Sequence, residues 1–133
     1  MGGLKFHKHL RLVKRSWFKT CYTSGKRYHT RHFIIFVLPN GLDHWRLGIT
    51  ASRKIGPAVL RNRIKRLVRE TFRLNQSQVP LNADYVVVTK KRDDLKQLNL
   101  DMVQEQILRF FRHIRPRTPD QPDARPLQDY SGY

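Results

Sequence analysis

The sequence predicts an α+β protein, a small sheet packed with helices in the order helix, strand, strand, helix, strand, helix. From residue 57 to 74, apolar residues recur every three or four positions, which is typical of an amphipathic helix. Residues 45–54 alternate between apolar and polar or small side chains, which is typical of a half-buried strand. Residues 85–89 form a valine-rich run without alternation, which indicates a strand buried on both faces.

Composition predicts one domain with a polyanionic partner. The 133 residues carry a formal charge of +17, from 27 Lys and Arg against 10 acids. So large a charge repels itself unless an anion offsets it, and nucleic acid is the usual partner. We predict a basic, flexible N-terminus over residues 1–10, a folded domain over 11–115, and a Pro-rich disordered tail over 116–133.

The elements before the long helix follow from local patterns. A first helix is predicted over residues 11–22, stopped by Ser24-Gly25. A strand is predicted over residues 33–38, and the Pro39-Asn40-Gly41 turn should join it to residues 45–54 as its partner. The apolar positions of the first helix are Leu12, Val13, Trp17, Phe18, Cys21 and Tyr22.

The long helix has two chemically distinct sides, and Pro57 suits its first turn. The basic side carries Arg61, Asn62, Lys65, Arg66, Arg69 and Arg73, and the apolar stripe carries Leu60, Ile64, Leu67, Val68, Thr71 and Leu74. Like charges this dense destabilise a helix, so the basic side suits a structured polyanion. Phe72 falls on the basic side, where it either packs against a neighbouring helix or joins the binding surface.

The last helix is predicted from an apolar stripe of Met102, Val103, Ile107, Leu108, Phe111 and Ile114. Asp93 and Asp94, just before it, are interpreted as a capping turn rather than a metal site. Phe33, Trp17 and Phe111 are assigned to the core.

Catalytic groups are hard to place on this chain. Outside the tail only Asp93 and Asp94 are adjacent acids, so no carboxylate cluster for metal is expected. Its six histidines, among them His29 and His32, are interpreted as surface or phosphate-contact groups. Cys21, the single cysteine, is expected to be a small core residue. We therefore predict no catalytic residue, no bound metal and no cofactor on the protein itself.

Two features beyond the long helix suit RNA. Phe18, Tyr22 and Phe36 could stack unpaired bases, although aromatic residues are more often core. In the strand at residues 45–54, Gly48, Thr50 and Ser52 share a face with small side chains and hydroxyl groups. That face either approaches an RNA backbone or is an ordinary solvated surface.

The run Arg46-Leu47-Gly48-Ile49, Arg53-Lys54-Ile55-Gly56 and Ala58 to Arg69, with Arg61-Asn62-Arg63 inside it, resembles the signature of the bacterial ribonuclease P protein subunit. The resemblance spans about residues 6–115. It implies a fold like ribosomal protein S5 domain 2, with a left-handed β-α-β crossover. It also implies a subunit of an endoribonuclease that removes the 5′ leader of precursor tRNA, with the catalytic groups and Mg²⁺ on the RNA.

The resemblance also assigns residues to two partners. The catalytic RNA is expected to contact Arg53, Lys54, Arg61, Asn62, Arg63, Lys65, Arg66 and Arg69. The leader of precursor tRNA is expected to contact Arg11, Phe18, Tyr22, Phe36, Arg46, Thr50 and Ser52, with Lys54 also on the floor of that cleft.

Two other functions fit the composition: a ribosomal or general RNA-chaperone protein, and a metal-free ribonuclease that uses histidines. The sequence contains neither a transmembrane stretch nor a signal peptide, so we expect a cytoplasmic protein with no membrane and no obligate protein partner.

Overall fold

A computed structural model describes residues 7–114 and confirms the α+β class. The helices are α1 (Arg15–Ser24), α2 (Ala58–Leu74) and α3 (Leu100–Ile114). The strands are β1 (Lys26–His29), β2 (Phe33–Pro39), β3 (Arg46–Thr50) and β4 (Ala83–Thr89). β1 was not predicted, because its four residues, Lys-Arg-Tyr-His, show no apolar alternation and lie at an edge of the sheet.

The sheet order is β1-β2-β4-β3, so the predicted hairpin between β2 and β3 is wrong. β4 lies between them, antiparallel to β2 and parallel to β3. The central place suits β4 because its valines are buried on both faces of the sheet. α2 forms the crossover that parallel neighbours require, and it runs from β3 to β4.

The main core lies between one face of the sheet and the helices α2 and α3. Ile64, Val68 and Thr71 are buried as predicted, whereas Leu74 is 38% exposed and does not belong to the stripe. Of the two alternatives for Phe72, the structure shows the core. It is fully buried, and its ring centroid lies 5.3 Å from that of Phe111 and 5.5 Å from that of Trp45.

The first helix begins at Arg15, four residues later than predicted. The preceding residues are extended, and the Leu12 N–H donates to the Leu47 carbonyl across the edge of β3 at 2.9 Å. Leu12 is therefore buried from an extended segment, and Val13, placed on the apolar stripe by the sequence, is 69% exposed. Gly25 ends α1 where a Cβ would lie 2.6 Å from the Cys21 carbonyl oxygen.

Within the N-terminal segment predicted over residues 1–10, residues 8–10 form a 3₁₀ turn and Leu10 joins the main core, and the domain bounds stay a prediction. The tail predicted over residues 116–133 lies outside the described residues. Among residues 7–114, no helix combines the length and apolar character needed to span a membrane.

Candidate nucleic-acid interface

α1 covers only part of the second face of the sheet. Beneath it a small cluster buries Leu12, Cys21 and Val86, and Trp17, Phe18 and Phe36 pack around them with part of each ring exposed. We call the side of the sheet beneath and beside α1 the α1 face. Burial raises the pKa of the Cys21 thiol to about 12, so the thiol stays protonated and is a core group, as predicted.

The three aromatic residues predicted to bind a leader all lie on the α1 face, two of them in contact. The Tyr22 and Phe36 rings pack edge to face with centroids 5.0 Å apart, and Tyr22 is 40% exposed. Phe18 lies over Gly48, where an added Cβ would be 2.5 Å from the Phe18 ring. Gly48 thus lets an aromatic ring lie directly on the backbone of β3, which no larger residue allows.

Arg46 is fixed in place on the same face. Its Nε and Nη2 both donate to the Asp84 carboxylate at 2.8 Å, and its guanidinium lies 3.9 Å from the Trp17 ring centroid. The Arg46 and Asp84 side chains are only 15% and 7% exposed, so this bidentate pair is largely desolvated. Trp17 is therefore not simply a core residue: it is half-buried and supports Arg46.

The polar residues after the aromatic set lie along and beyond β3. Thr50 ends the strand and is half-buried, so β3 is shorter than the predicted strand over residues 45–54, although buried Ala51 and exposed Ser52 continue the alternation. Ser52 is exposed, and Arg53 and Lys54 are exposed on the following 3₁₀ turn, Arg53–Ile55. Gly56 then adopts φ of +150°, a conformation that favours glycine, and turns the chain into α2.

The predicted RNA contacts on α2 fall into two groups, one open to solvent and one bonded within the protein. Asn62 and Arg66 are exposed, and Lys65 and Arg69 are half-buried. Three other arginines are held by the protein: Arg61 Nε donates to the Gly56 carbonyl, Arg63 Nη2 to the Leu98 carbonyl, and Arg73 pairs with Glu70. Arg63 thus lies toward the loop before α3, because it is one position off the exposed arc.

Arg69 is influenced by cations from both predicted surfaces. Its pKa is lowered, first by burial and then by the neighbouring charges of Arg11 and Arg66. Arg11 comes from the segment beside β3, whereas Arg66 and Arg69 belong to α2. Positive charge is therefore concentrated around Arg69.

The histidine prediction is partly wrong, because His29 and His32 are 4% and 0% exposed. His32 bonds to Asp94 and Gln106 rather than facing solvent. Asp94 begins the 3₁₀ turn Leu95–Gln97 as predicted, but its side chain makes no cap bond and instead pairs with Arg92 and His32. Among residues 7–114, no three His, Cys, Asp or Glu side chains are grouped to hold a metal ion.

Comparisons with known proteins identify the family to which this fold belongs. The family model described as Ribonuclease P matches residues 6–115. The ribonuclease P protein component of Oleidesulfovibrio alaskensis is 44% identical over 107 residues, covering 79% of this chain and 86% of the relative. That of Syntrophus aciditrophicus is 48% identical over 90 residues, covering 68% and 76%. The solved RNase P protein from Thermotoga maritima in complex with 1-(4-fluorophenyl)-2-thiourea superposes with a TM-score of 0.74 at 36% identity, covering 79% of this chain and 100% of that one.

The chain is thus a small, basic α+β protein that combines a basic helix with an aromatic sheet face. Within that class, the chain belongs to the ribonuclease P protein family. It is therefore a protein component of the ribonucleoprotein that processes tRNA, part of an endoribonuclease that associates with the ribonuclease P RNA.

Proposed function

We propose that the chain holds the catalytic RNA with the basic side of α2 and the single-stranded 5′ leader of precursor tRNA with the α1 face. The observation that best supports this proposal is the chemistry of the α1 face. Partly exposed Phe18, Tyr22 and Phe36 rings can stack unpaired bases. Arg46 contributes less directly, because its guanidinium is paired with Asp84 and packs on Trp17.

The α2 side suits a different task. Asn62 and Arg66 are exposed on a rigid helix, with half-buried Lys65 and Arg69 beside them and Arg53 and Lys54 before it. These groups can donate to phosphates at fixed spacing, and such contacts position an RNA without reading its sequence. Arg61 and Arg63 contribute less directly, because each already donates to a backbone carbonyl.

The catalytic groups and Mg²⁺ then belong to the RNA. Both surfaces carry guanidinium and ammonium groups, which favour phosphate oxygens and repel a divalent cation. On this assignment the protein raises the affinity for substrate and supports the RNA at low Mg²⁺, and takes no part in bond cleavage. Cytoplasmic residence, and the absence of a membrane or an obligate protein partner, are parts of the same proposal.

Reconstitution tests the assignment. The protein is combined with a bacterial ribonuclease P RNA at low Mg²⁺, and cleavage and binding are measured for precursor tRNA and for mature tRNA without a leader. We expect Phe18→Ala to weaken binding of precursor tRNA more than binding of mature tRNA. We expect Arg66→Ala to weaken assembly with the catalytic RNA and to reduce the salt dependence of that assembly. Arg112→Ala, which removes an exposed cation from α3, is the control for loss of charge.

Three outcomes contradict the proposal. If Phe18→Ala lost equal affinity for precursor and mature tRNA, the leader could not be assigned to the α1 face. Equal affinity for unrelated structured RNA would favour a general RNA chaperone. Cleavage by RNA-free protein without metal would favour a histidine ribonuclease.

A further inference from the structure

A second cleft opens on the other side of the molecule, between α3 and the turn that joins β1 to β2. Its volume is about 540 Å³, within the range of about 300–1,000 Å³ typical of ligand sites. α3 supplies Met102, Gln106, Arg109 and Phe110 to its lining. Because β1 and β3 form opposite edges of the sheet, this cleft is separate from the surface around β3.

The back wall of the cleft is a rigid polar network. Gln106 Oε1 accepts from the Thr30 hydroxyl at 2.8 Å and from the His32 backbone N–H at 3.0 Å. Gln106 Nε2 therefore faces His32 Nδ1, at 2.9 Å, and donates to it. His32 Nε2 then carries the ring proton and donates to Asp94 at 3.2 Å. With every member held, the wall does not need to rearrange when a ligand enters.

The rim is cationic. Arg31 and Arg109 are exposed, and within residues 7–114 neither guanidinium has a hydrogen-bond or ion-pair partner. Lys90 Nζ donates to the Thr30 carbonyl at 2.6 Å, and its pKa is lowered by burial and then by Arg92. Among the described residues that line the cleft, Glu105 is the only acid. The rim thus lacks enough negative charge to balance its cations.

We propose that this cleft binds one unpaired nucleotide of an RNA strand. Half-buried Met102, with the small part of the otherwise buried Phe110 that reaches the cleft, gives the floor an apolar surface for a base, and Arg31 and Arg109 lie at the rim for its phosphate. A free inorganic anion would use the cations but leave the apolar floor uncovered, so the site as a whole suits a group with both parts. The site is additional to the α1 face and does not depend on which RNA binds there.

Nuclear magnetic resonance titration of the full chain tests the site. The probes are adenosine 5′-monophosphate, inorganic phosphate and a short single-stranded oligouridylate, and the readouts are the Gln106 side-chain amide and the backbone amides of residues 30–32. We expect the nucleotide and the oligonucleotide to shift these signals at concentrations where phosphate does not. The double variant Arg31→Ala/Arg109→Ala should weaken both by at least about tenfold, as loss of a charged hydrogen bond does.

Two controls bracket that result. Arg112→Ala removes an exposed cation one turn further along α3, outside the cleft lining, and should bind as the parent protein does. Phe18→Ala, on the opposite face of the sheet, should also leave these shifts unchanged. Equal response to inorganic phosphate, or shifts that survive the double variant, would overturn the proposal. Because both arginines are exposed and unpartnered within the described residues, the double variant should fold, and its backbone spectrum reports this directly.

Discussion

Gly48→Ala tests whether the α1 face depends on close approach between Phe18 and the backbone of β3. An alanine Cβ at this position would lie 2.5 Å from two carbons of the Phe18 ring and 3.2 Å from Leu12 Cβ. The ring must therefore move away from the sheet, and the part of the α1 face that it forms changes shape with it.

The expected cost combines two opposing effects. Replacing glycine in a strand interior stabilises a protein by about 0.5–1 kcal/mol, because alanine loses less backbone entropy on folding. Overpacking a filled site costs about 1–3 kcal/mol. The clash is with a ring packed on the sheet and not with the end of a flexible chain, so we expect a net loss of about 1–2 kcal/mol.

Urea unfolding of four proteins isolates the clash: the parent, Gly48→Ala, Phe18→Ala and the double variant. Without the Phe18 ring the alanine should cost little, which gives a coupling energy of about 1–3 kcal/mol between the two sites. Gly41→Ala is the matched control, because its cost comes from a φ of +68° with no atom within 4 Å, and Phe18→Ala should not alter it. Additive losses, or a Gly48→Ala protein more stable than the parent, would refute the reasoning. Affinity for leader-bearing tRNA should fall in Gly48→Ala alongside stability.

Three further outcomes follow from the structure. Phe72→Ala should lower the free energy of unfolding by about 3–5 kcal/mol, as loss of a fully buried ring does, and a loss below about 1 kcal/mol in urea titration would place Phe72 outside the core. Arg63→Ala should destabilise the fold by about 1 kcal/mol, whereas Arg66→Ala should leave stability unchanged and weaken RNA binding; the reverse pattern would contradict the division of α2. The pKa of Asp94 is lowered from 3.8, chiefly by its bond to Arg92, so its contribution is complete above pH 3.8 and is lost as pH falls below it. The stability difference between the parent and Asp94→Asn should shrink with acid over that range in thermal unfolding, and a constant difference would count against the pairing.

Local pattern predicted the elements that have a strong apolar period. α2, β2 and β4 lie where spacing and side-chain type place them, and Cys21 is buried as expected. β1 escaped because a short polar edge strand carries no period of its own and forms only by pairing with β2. The start of α1 was misplaced because Leu12 is buried through pairing with β3, which mimics a helical stripe.

Strand order and side-chain partners are long-range properties. Periodicity indicates which face of a strand is buried, but it does not indicate which strand lies beside it. Arg46 and Asp84 face each other only because β3 and β4 are parallel neighbours in that register. With β3 paired to β2 in the prediction, neither the carboxylate that fixes Arg46 nor its contact with Trp17 could be foreseen. The buried positions of His29 and His32 were missed for the same reason, since α3 and the turn before it bury His32.

Unequal cover on the two faces of the sheet explains where the candidate surfaces lie. α2 and α3, of 17 and 15 residues, bury one face almost completely, whereas the 10-residue α1 covers the other in part. An uncovered sheet face would normally expose valine and phenylalanine to water, which is unfavourable. Here Gly48 admits Phe18, and the Asp84 pair fixes Arg46 over Trp17, so the open part of the face is apolar, while exposed Arg53 and Lys54 just beyond β3 supply positive charge beside it. A single-stranded RNA, with flat bases and charged phosphates, matches that combination better than water or a protein core does. The short first helix is thus what leaves the proposed RNA surface uncovered, and a longer helix would increase stability by covering that surface.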